Sequence, residues 1–283
     1  MSAQPWRRLR VIARQSEPKL RRAIIRALGR VQNGTQFAAM RAAYARGDID
    51  DAVNAVPWAR LTDDPTISTQ VERVLREQYL QTTEAAARSV GVRLGERNFT
   101  VVDDAPIDAA RAHAARLLTN TAASGKEAVR VAVVAALEQG LSAQRAARII
   151  KPAIGLTAPH AAAVANLMDK LTRAGWSTKE VDAEGIRYAR QLHQVRALMV
   201  ARTETGDALI RGQRAAWDAA ATEGLFDPTT ARRQWVASTN ACPLICQPLD
   251  GQEIGYAETA WPGGYSDPPA HPSCACVVQL LLD

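Results

Sequence analysis

The chain has 283 residues, 47 % of them hydrophobic, which is enough to bury one large core or two smaller ones. Its net charge of +6 is polarised: residues 1–34 carry nine Lys or Arg (Arg7, Arg8, Arg10, Arg14, Lys19, Arg21, Arg22, Arg26, Arg30) against one acid, Glu17. From Gln234 onward there is no Lys or Arg, only the acids Asp250, Glu253, Glu258, Asp267 and Asp283. No apolar run approaches the roughly 18 residues that a membrane span needs, so no membrane partner is expected. The basic start lacks the apolar stretch of a secretory signal; being Arg-rich and acid-poor, it also fits a mitochondrial transit peptide. A basic arm at one end and an acidic module at the other point to two different partners.

Ala and Arg are abundant and both are good helix formers, so a mainly α fold is expected. Ser16 is read as the cap of a first helix with Pro18 in its first turn; Leu20, Ile24, Ile25 and Leu28 line one face and Gly29 ends it. Asp48 opens a short helix (Ile49, Ala52, Val53, Val56) that Pro57 stops. A longer one follows Pro65, with Val71, Val74, Leu75 and Tyr79 inward, to about Gly91. Phe99–Val102 is a short β-prone patch. Ser124 and Glu127 have capping-box spacing ahead of Val129–Leu137, with Gly140 as the stop. Two similar helix starts follow at Gly140-Leu141-Ser142 and Gly155-Leu156-Thr157. The second leads to the stripe Val164, Leu167, Met168, Leu171, closed by Gly175. Ser177 and Glu180 form a further capping box, and helix continues to Gly224 with expected breaks near Gly185 and Gly206.

After Asp227-Pro228 the helical period disappears and Gly, Pro, Asn and Asp become dense. Residues 233–238 and 277–282 read as short strands in a small, loop-rich module that needs a staple. All four cysteines fall in the last 42 residues. Cys242-Pro-Leu-Ile-Cys246 and His271-Pro-Ser-Cys274-Ala-Cys276 offer five ligands, Cys242, Cys246, His271, Cys274 and Cys276, for the four places of a tetrahedral zinc. Zinc would close a 24-residue loop and supply on the order of 10 kcal/mol of folding energy. Disulfides, free thiols or another use of the cysteines remain alternatives. A catalytic zinc fits less well, because catalytic sites use fewer thiolates and keep an open position. A DNA-reading finger is disfavoured by the absence of basic side chains beyond Gln234. His113, His160 and His193 lie singly in helical stretches. Arg202 and Glu204, two apart on a helix, cannot face each other and need separate partners.

Several of these residues together resemble a known family. Ala201-Arg202-Thr203-Glu204 resembles the ARTE helix of Mu F-like phage head morphogenesis proteins. Trp235, Cys242-Pro243, Cys246 and Leu249-Asp250-Gly251 are similar to that family's W, CP-x-C and L-[DN]-G run, and Pro268-Pro269-Ala270-His271-Pro272-Ser273-Cys274-Ala275-Cys276 to its PP-x-HP-x-C-R-C close. Gly140-Leu141-Ser142 and Gly155-Leu156-Thr157 resemble its helical part. The resemblance covers about residues 100–283, with Gly47-Asp48-Ile49 and Trp58 a looser match. Two features depart from it: an extra residue between Cys242 and Cys246, and Ala275 in place of the usual Arg. The resemblance implies a minor head protein, not an enzyme, that associates with the portal and with coat or scaffold proteins inside the virion head, and resides in the host bacterial cytoplasm before assembly. The alternatives are a packaging or ejection factor that binds double-stranded DNA, and a zinc-dependent or toxin-like enzyme. The expected layout is a basic N-terminal arm and helical region (1–98), a helical body (99–227) and a Cys/His-rich α+β module (228–283) holding structural zinc. Arg7, Arg8, Arg10, Arg14, Arg21 and Arg22 are the candidate contacts to nucleic acid or portal.

Overall fold

A computed structural model describes residues 5–94 and 105–282; the patch Phe99–Val102 lies outside them. The described residues are mainly helical: α1 (Pro5–Asn33), α2 (Phe37–Ala45), α3 (Ile49–Asn54), α4 (Arg60–Asp63), α5 (Pro65–Leu94), α6 (Ala105–Glu138), α7 (Ala143–Ile150), α8 (Ala158–Arg173) and α9 (Thr178–Thr222). A small C-terminal module follows, with β1 (Arg232–Val236), the one-turn helix α10 (Cys246–Leu249), β2 (Glu253–Gly255) and β3 (Val277–Leu281). No helix among the described residues is long and apolar enough to cross a membrane.

Local chemistry explains several boundaries. The Asp48 carboxylate accepts the Asp51 N–H at 2.9 Å and starts α3. Ser177 and Glu180 form the reciprocal capping box at the head of α9: Ser177 N–H donates to Glu180 Oε2 at 3.0 Å and Glu180 N–H to Ser177 Oγ at 3.4 Å. Gly140, at φ +61°, ends α6, where the Leu141 N–H closes on the Ala136 carbonyl at 3.1 Å.

Other boundaries fall where local signals did not place them. α1 runs through Ser16, Pro18 and Gly29 without ending. A continuous buried stripe, Leu9, Ile12, Ser16, Leu20, Ile24, Ala27, Val31, holds it while Pro18 faces solvent. Burial of this stripe outweighs the roughly 3 kcal/mol that an interior proline costs. Ser124 does not start a helix either. It lies inside α6, where its hydroxyl donates to the Thr121 carbonyl at 3.2 Å and accepts from Arg196 Nη2. α9 continues through Gly185 and Gly206. A Cβ at Gly185 would lie 2.6 Å from Met168 Sδ, so this glycine marks a close helix crossing.

The contacts divide the chain into two compact units, neither continuous in sequence. The first comprises residues 1–21, 71–114 and 198–283. Its core joins Leu9 and Ile12 of α1, Ala86 and Val90 of α5, and Leu209 and Trp217 of α9 with Trp235, Leu249, Trp261 and Val278 of the C-terminal module. The sheet order is β2-β1-β3, antiparallel throughout, with Trp235 opposite Val278 and Arg233 opposite both Ile254 and Leu280. Alternation along β1 turns Arg233 and Trp235 inward. Trp235 meets Trp261 edge to face, ring centres 5.2 Å apart. Arg233 is buried, and its Nη1 reaches both Asp267 oxygens at 2.6 Å; Trp261 Nε1 donates to the same carboxylate at 2.8 Å.

The second unit comprises residues 22–70 and 115–197. Its core gathers Ala128, Leu156, Ala161, Val164, Met168, Val181 and Ala189. Arg196 is buried in it, donating to the Gly155 and Leu156 carbonyls and to Ser124, and burial pulls its pKa down to about 10. Trp58 donates to the Val53 carbonyl at 3.0 Å and lies over Gly125, where a Cβ would come within 2.5 Å of its ring.

The same substitution therefore has opposite effects at two helical glycines of this unit. Gly125→Ala drives a methyl into the Trp58 ring and is expected to destabilise by about 1–3 kcal/mol. Gly29→Ala meets nothing within 4 Å and is expected to stabilise by roughly 0.5–1 kcal/mol. Urea unfolding of the two variants measures both; Gly125→Ala at or above wild-type stability would contradict the packing described.

Candidate metal centre

The site lies in the first unit, built from two short pieces of chain. In the first, Cys242 contributes its carbonyl, which accepts the N–H groups of both Cys246 and Gln247 at 3.0 Å. That turn starts α10 and sends the Cys246 side chain into the core, fully buried. In the second, after the cis Pro268–Pro269 bond, the chain makes a tight turn at His271, where the Cys274 N–H donates to the His271 carbonyl at 3.1 Å. Ser273 within this turn has φ +63°, a conformation that L residues seldom adopt. Its N–H is held by Thr203 Oγ1 of α9 at 2.9 Å, and this contact fixes the turn.

The ligand atoms of Cys246, His271 and Cys274 lie within 4.8 Å of one another. Cys246 Sγ is 3.7 Å from Cys274 Sγ and 3.1 Å from His271 Nε2. Two thiolates on a tetrahedral zinc with 2.3 Å bonds sit about 3.8 Å apart, so the sulfur pair already has metal-site spacing. His271 Nδ1 is 2.9 Å from the Pro272 carbonyl. The proton then belongs on Nδ1, which leaves the Nε2 lone pair facing the sulfurs, the usual arrangement of a ligating histidine. The cluster can hold a metal ion.

Cys276, also buried, neighbours the trio but lies outside the three ligand atoms that come together. Its thiol is coupled electrostatically to those of Cys274 and Cys246. Cys274 as donor pulls the Cys276 pKa down to about 6, whereas burial pushes Cys246 up to about 11 and the Cys276 partner drives Cys274 upward. A backbone N–H favours the thiolate of each sulfur: Cys242 for Cys246, Ala270 for Cys274 and Ser238 for Cys276. The buried Trp235 indole N–H has no hydrogen-bond partner, and its field favours the Cys276 thiolate. Three thiolates cannot coexist so closely unless a cation neutralises them. All four cysteines are free thiols. Cys242 is half-buried and, among the described residues, lies outside the trio, contributing through its backbone.

The basic arm does not present six equivalent arginines. Arg10 turns inward: its Nη2 donates to the Val236 and Ala237 carbonyls at 3.2 and 3.0 Å, and burial lowers its pKa while the nearby Cys276 opposes that shift. A basic side chain of α1 therefore reaches the cysteine module, which holds Arg232 and Arg233 of its own on β1. Arg7, Arg8, Arg14 and Arg22 are exposed and Arg21 is half-buried. Arg7, Arg10 and Arg14, with Arg202, line an open cleft of about 790 Å³ whose other wall is the Ser238–Ala241 loop and the cysteine cluster.

The residues Arg202, Thr203 and Glu204 each reach a separate partner. Arg202 Nε lies 3.2 Å from Glu17 of α1, Thr203 receives Ser273, and Glu204 lies 2.5 Å from His113 of α6. Of the three it is Thr203, an uncharged residue, that joins the cysteine module. His113, a lone histidine by sequence, also meets Asp207. The available signal was Glu204-x-x-Asp207, two acids one helical turn apart, but nothing in the sequence tied them to residue 113. Comparisons with family models, with curated proteins and with solved structures find no match.

Metal stoichiometry of single variants tests the assignment. Cys246→Ser and Cys274→Ser are expected to lose the bound ion and to unfold the module, whereas Cys242→Ser retains it. Thr203→Val keeps the shape but removes the acceptor of the Ser273 N–H, and is expected to cost about 1 kcal/mol for a half-buried donor left unpaired. Elemental analysis combined with thermal unfolding reads all four. Metal loss in Cys242→Ser with retention in Cys274→Ser would reverse the assignment.

Proposed function

We propose that the chain is a minor head protein of a tailed bacteriophage or prophage, of the Mu F-like head morphogenesis type. It associates with the portal and takes part in procapsid assembly with the coat and scaffold proteins. The observation that carries this reading is the meeting of the motif runs behind the resemblance. Thr203 of the Ala201–Glu204 run bonds Ser273 of the Pro268–Cys276 run, and Cys246 of the intervening run lies against Cys274. Runs some 70 residues apart in sequence thus meet at one spot, which is what a shared structural motif requires. In this reading the cation is zinc, chosen by sulfur and imidazole donors, and its role is structural. The protein then works by occupying a place in the head interior after a period in the host cytoplasm, and not by turnover.

A second reading, a packaging or ejection factor acting on double-stranded DNA, is favoured by the exposed Arg7, Arg8 and Arg14. Phosphate contacts of this kind are sequence-independent and salt-sensitive.

Co-expression with portal and coat proteins, with and without the chain, decides the first reading. The chain is expected to co-purify with portal or procapsids, and its omission to give particles poor in infectivity. Normal, infectious particles without it would defeat the proposal. For the second reading, Arg7, Arg8 and Arg14 are replaced together by Gln, leaving Arg10 in place because its bonds to Val236 and Ala237 are part of the fold. DNA retention is expected to fall and the salt slope to flatten by roughly one unit per lost phosphate contact; an unchanged slope would remove the arm from DNA binding.

A further inference from the structure

We propose that His113, Glu204 and Asp207 form a second divalent-cation site in the first unit, separate from the cysteine cluster and built from nitrogen and oxygen donors. His113 lies on α6, and Glu204 and Asp207 lie three residues apart on α9, so both carboxylates face the same way. One nitrogen and one oxygen from each acid lie within 4.8 Å of one another. His113 Nε2 is 2.5 Å from Glu204 Oε2 and 3.5 Å from Asp207 Oδ2.

The histidine is 2 % exposed, whereas the carboxylates keep about a quarter of their side-chain surface accessible. A cation would thus have a buried anchor and an open side for water. The other ring nitrogen, Nδ1, is 3.3 Å from the Tyr79 hydroxyl, and the two rings meet edge to face. This contact sets the ring orientation, as the outer partner of a metal-bound histidine does.

A simple ion pair explains less of this geometry. One proton on Nε2 satisfies Glu204 and leaves Asp207 beyond hydrogen-bond range of the ring. Arg211 bonds Asp207 Oδ2 at 2.7 Å, and that bond raises its pKa. It balances one of the two carboxylate charges, and the oxygen it bonds, Oδ2, is the one that faces His113, with a second lone pair left for a cation. An ion taking the place of the Nε2 proton would be held by His113 and by both carboxylates. The donor set, one imidazole and two carboxylates, suits zinc or manganese and lacks the thiolates of the first site.

Cobalt(II) distinguishes the two sites, because only cobalt bound to thiolate gives an intense near-ultraviolet charge-transfer band. The full-length, reduced, chelator-stripped protein is titrated with Co²⁺ and bound metal is counted by equilibrium dialysis. Two equivalents are expected, one with the thiolate band and one without it. His113→Gln is expected to lose only the equivalent without the band. Asp207→Asn, a change at a partly exposed group, is expected to weaken that equivalent by roughly tenfold or more. An intact thiolate band shows that a variant is folded and reports on the cysteine centre independently. A wild-type protein lacking the second equivalent, or one that keeps it unchanged in both variants, would overturn the proposal.

Discussion

Three sulfurs crowded into a dry place are the constraint on which the first unit depends. Cys246, Cys274 and Cys276 are buried close together with His271 at their edge, and burial and mutual contact push Cys246 and Cys274 toward the neutral thiol and Cys276 toward the thiolate. Such an arrangement is costly as thiols, which pack as poor donors, and more costly as bare thiolates, which repel. A cation turns both penalties into binding energy that exists only in the folded state. The loops that supply the ligands make few regular backbone bonds of their own, so their conformation, including the positive φ of Ser273, rests on the centre and on what α9 offers it.

α9 offers a good deal, and helix geometry explains why so much of it comes from three consecutive residues. Successive side chains on an α-helix point about 100° apart. Arg202, Thr203 and Glu204 therefore fan outward to three neighbours: Glu17 on α1, the Ser273 turn, and His113 on α6. A helix surrounded on several sides within its unit can spend adjacent residues on different partners, whereas a surface helix would spend them on one face. Further along, Gln213 Nε2 donates to the Val278 carbonyl at 2.9 Å and ties the same helix to β3.

Much of this was legible from short-range chemistry. The caps at Asp48 and Ser177, the stop at Gly140, the strands near 233–238 and 277–282 and the change of texture after Asp227 all follow from local rules, and the mainly helical fold with a small α+β end agrees with them. The misplaced boundaries share one cause. Ser16, Pro18, Gly29, Ser124, Gly185 and Gly206 are residues that end or start helices in isolation, and each sits where packing outweighs propensity. Ser124 is engaged by Arg196, and Gly185 admits Met168. β2 and α10 were missed because three- and four-residue elements carry no period to read.

The candidate site was legible as a set of residue types but not as an arrangement. Spacing alone offered five ligands for four places and ranked Cys242 and His271 last; what separates these two is backbone direction, which keeps His271 and leaves Cys242 out. Cys242 spends its carbonyl on two N–H groups of α10 and lies outside the trio, while the fixed Nδ1 of His271 presents Nε2 to the sulfurs. The arm shows the same limit. Six arginines alike in sequence divide by the face of α1 they occupy, and Arg10 crosses from a presumed phosphate contact to a donor for Val236 and Ala237 beside Cys276. Its charge is spent inside the unit, where it offsets the sulfurs and closes the ends of the β1 loop. The polarity of the sequence, basic at one end and acidic at the other, is therefore in part an internal complementarity, while Arg8, Arg14 and Arg22 of the same helix stay exposed.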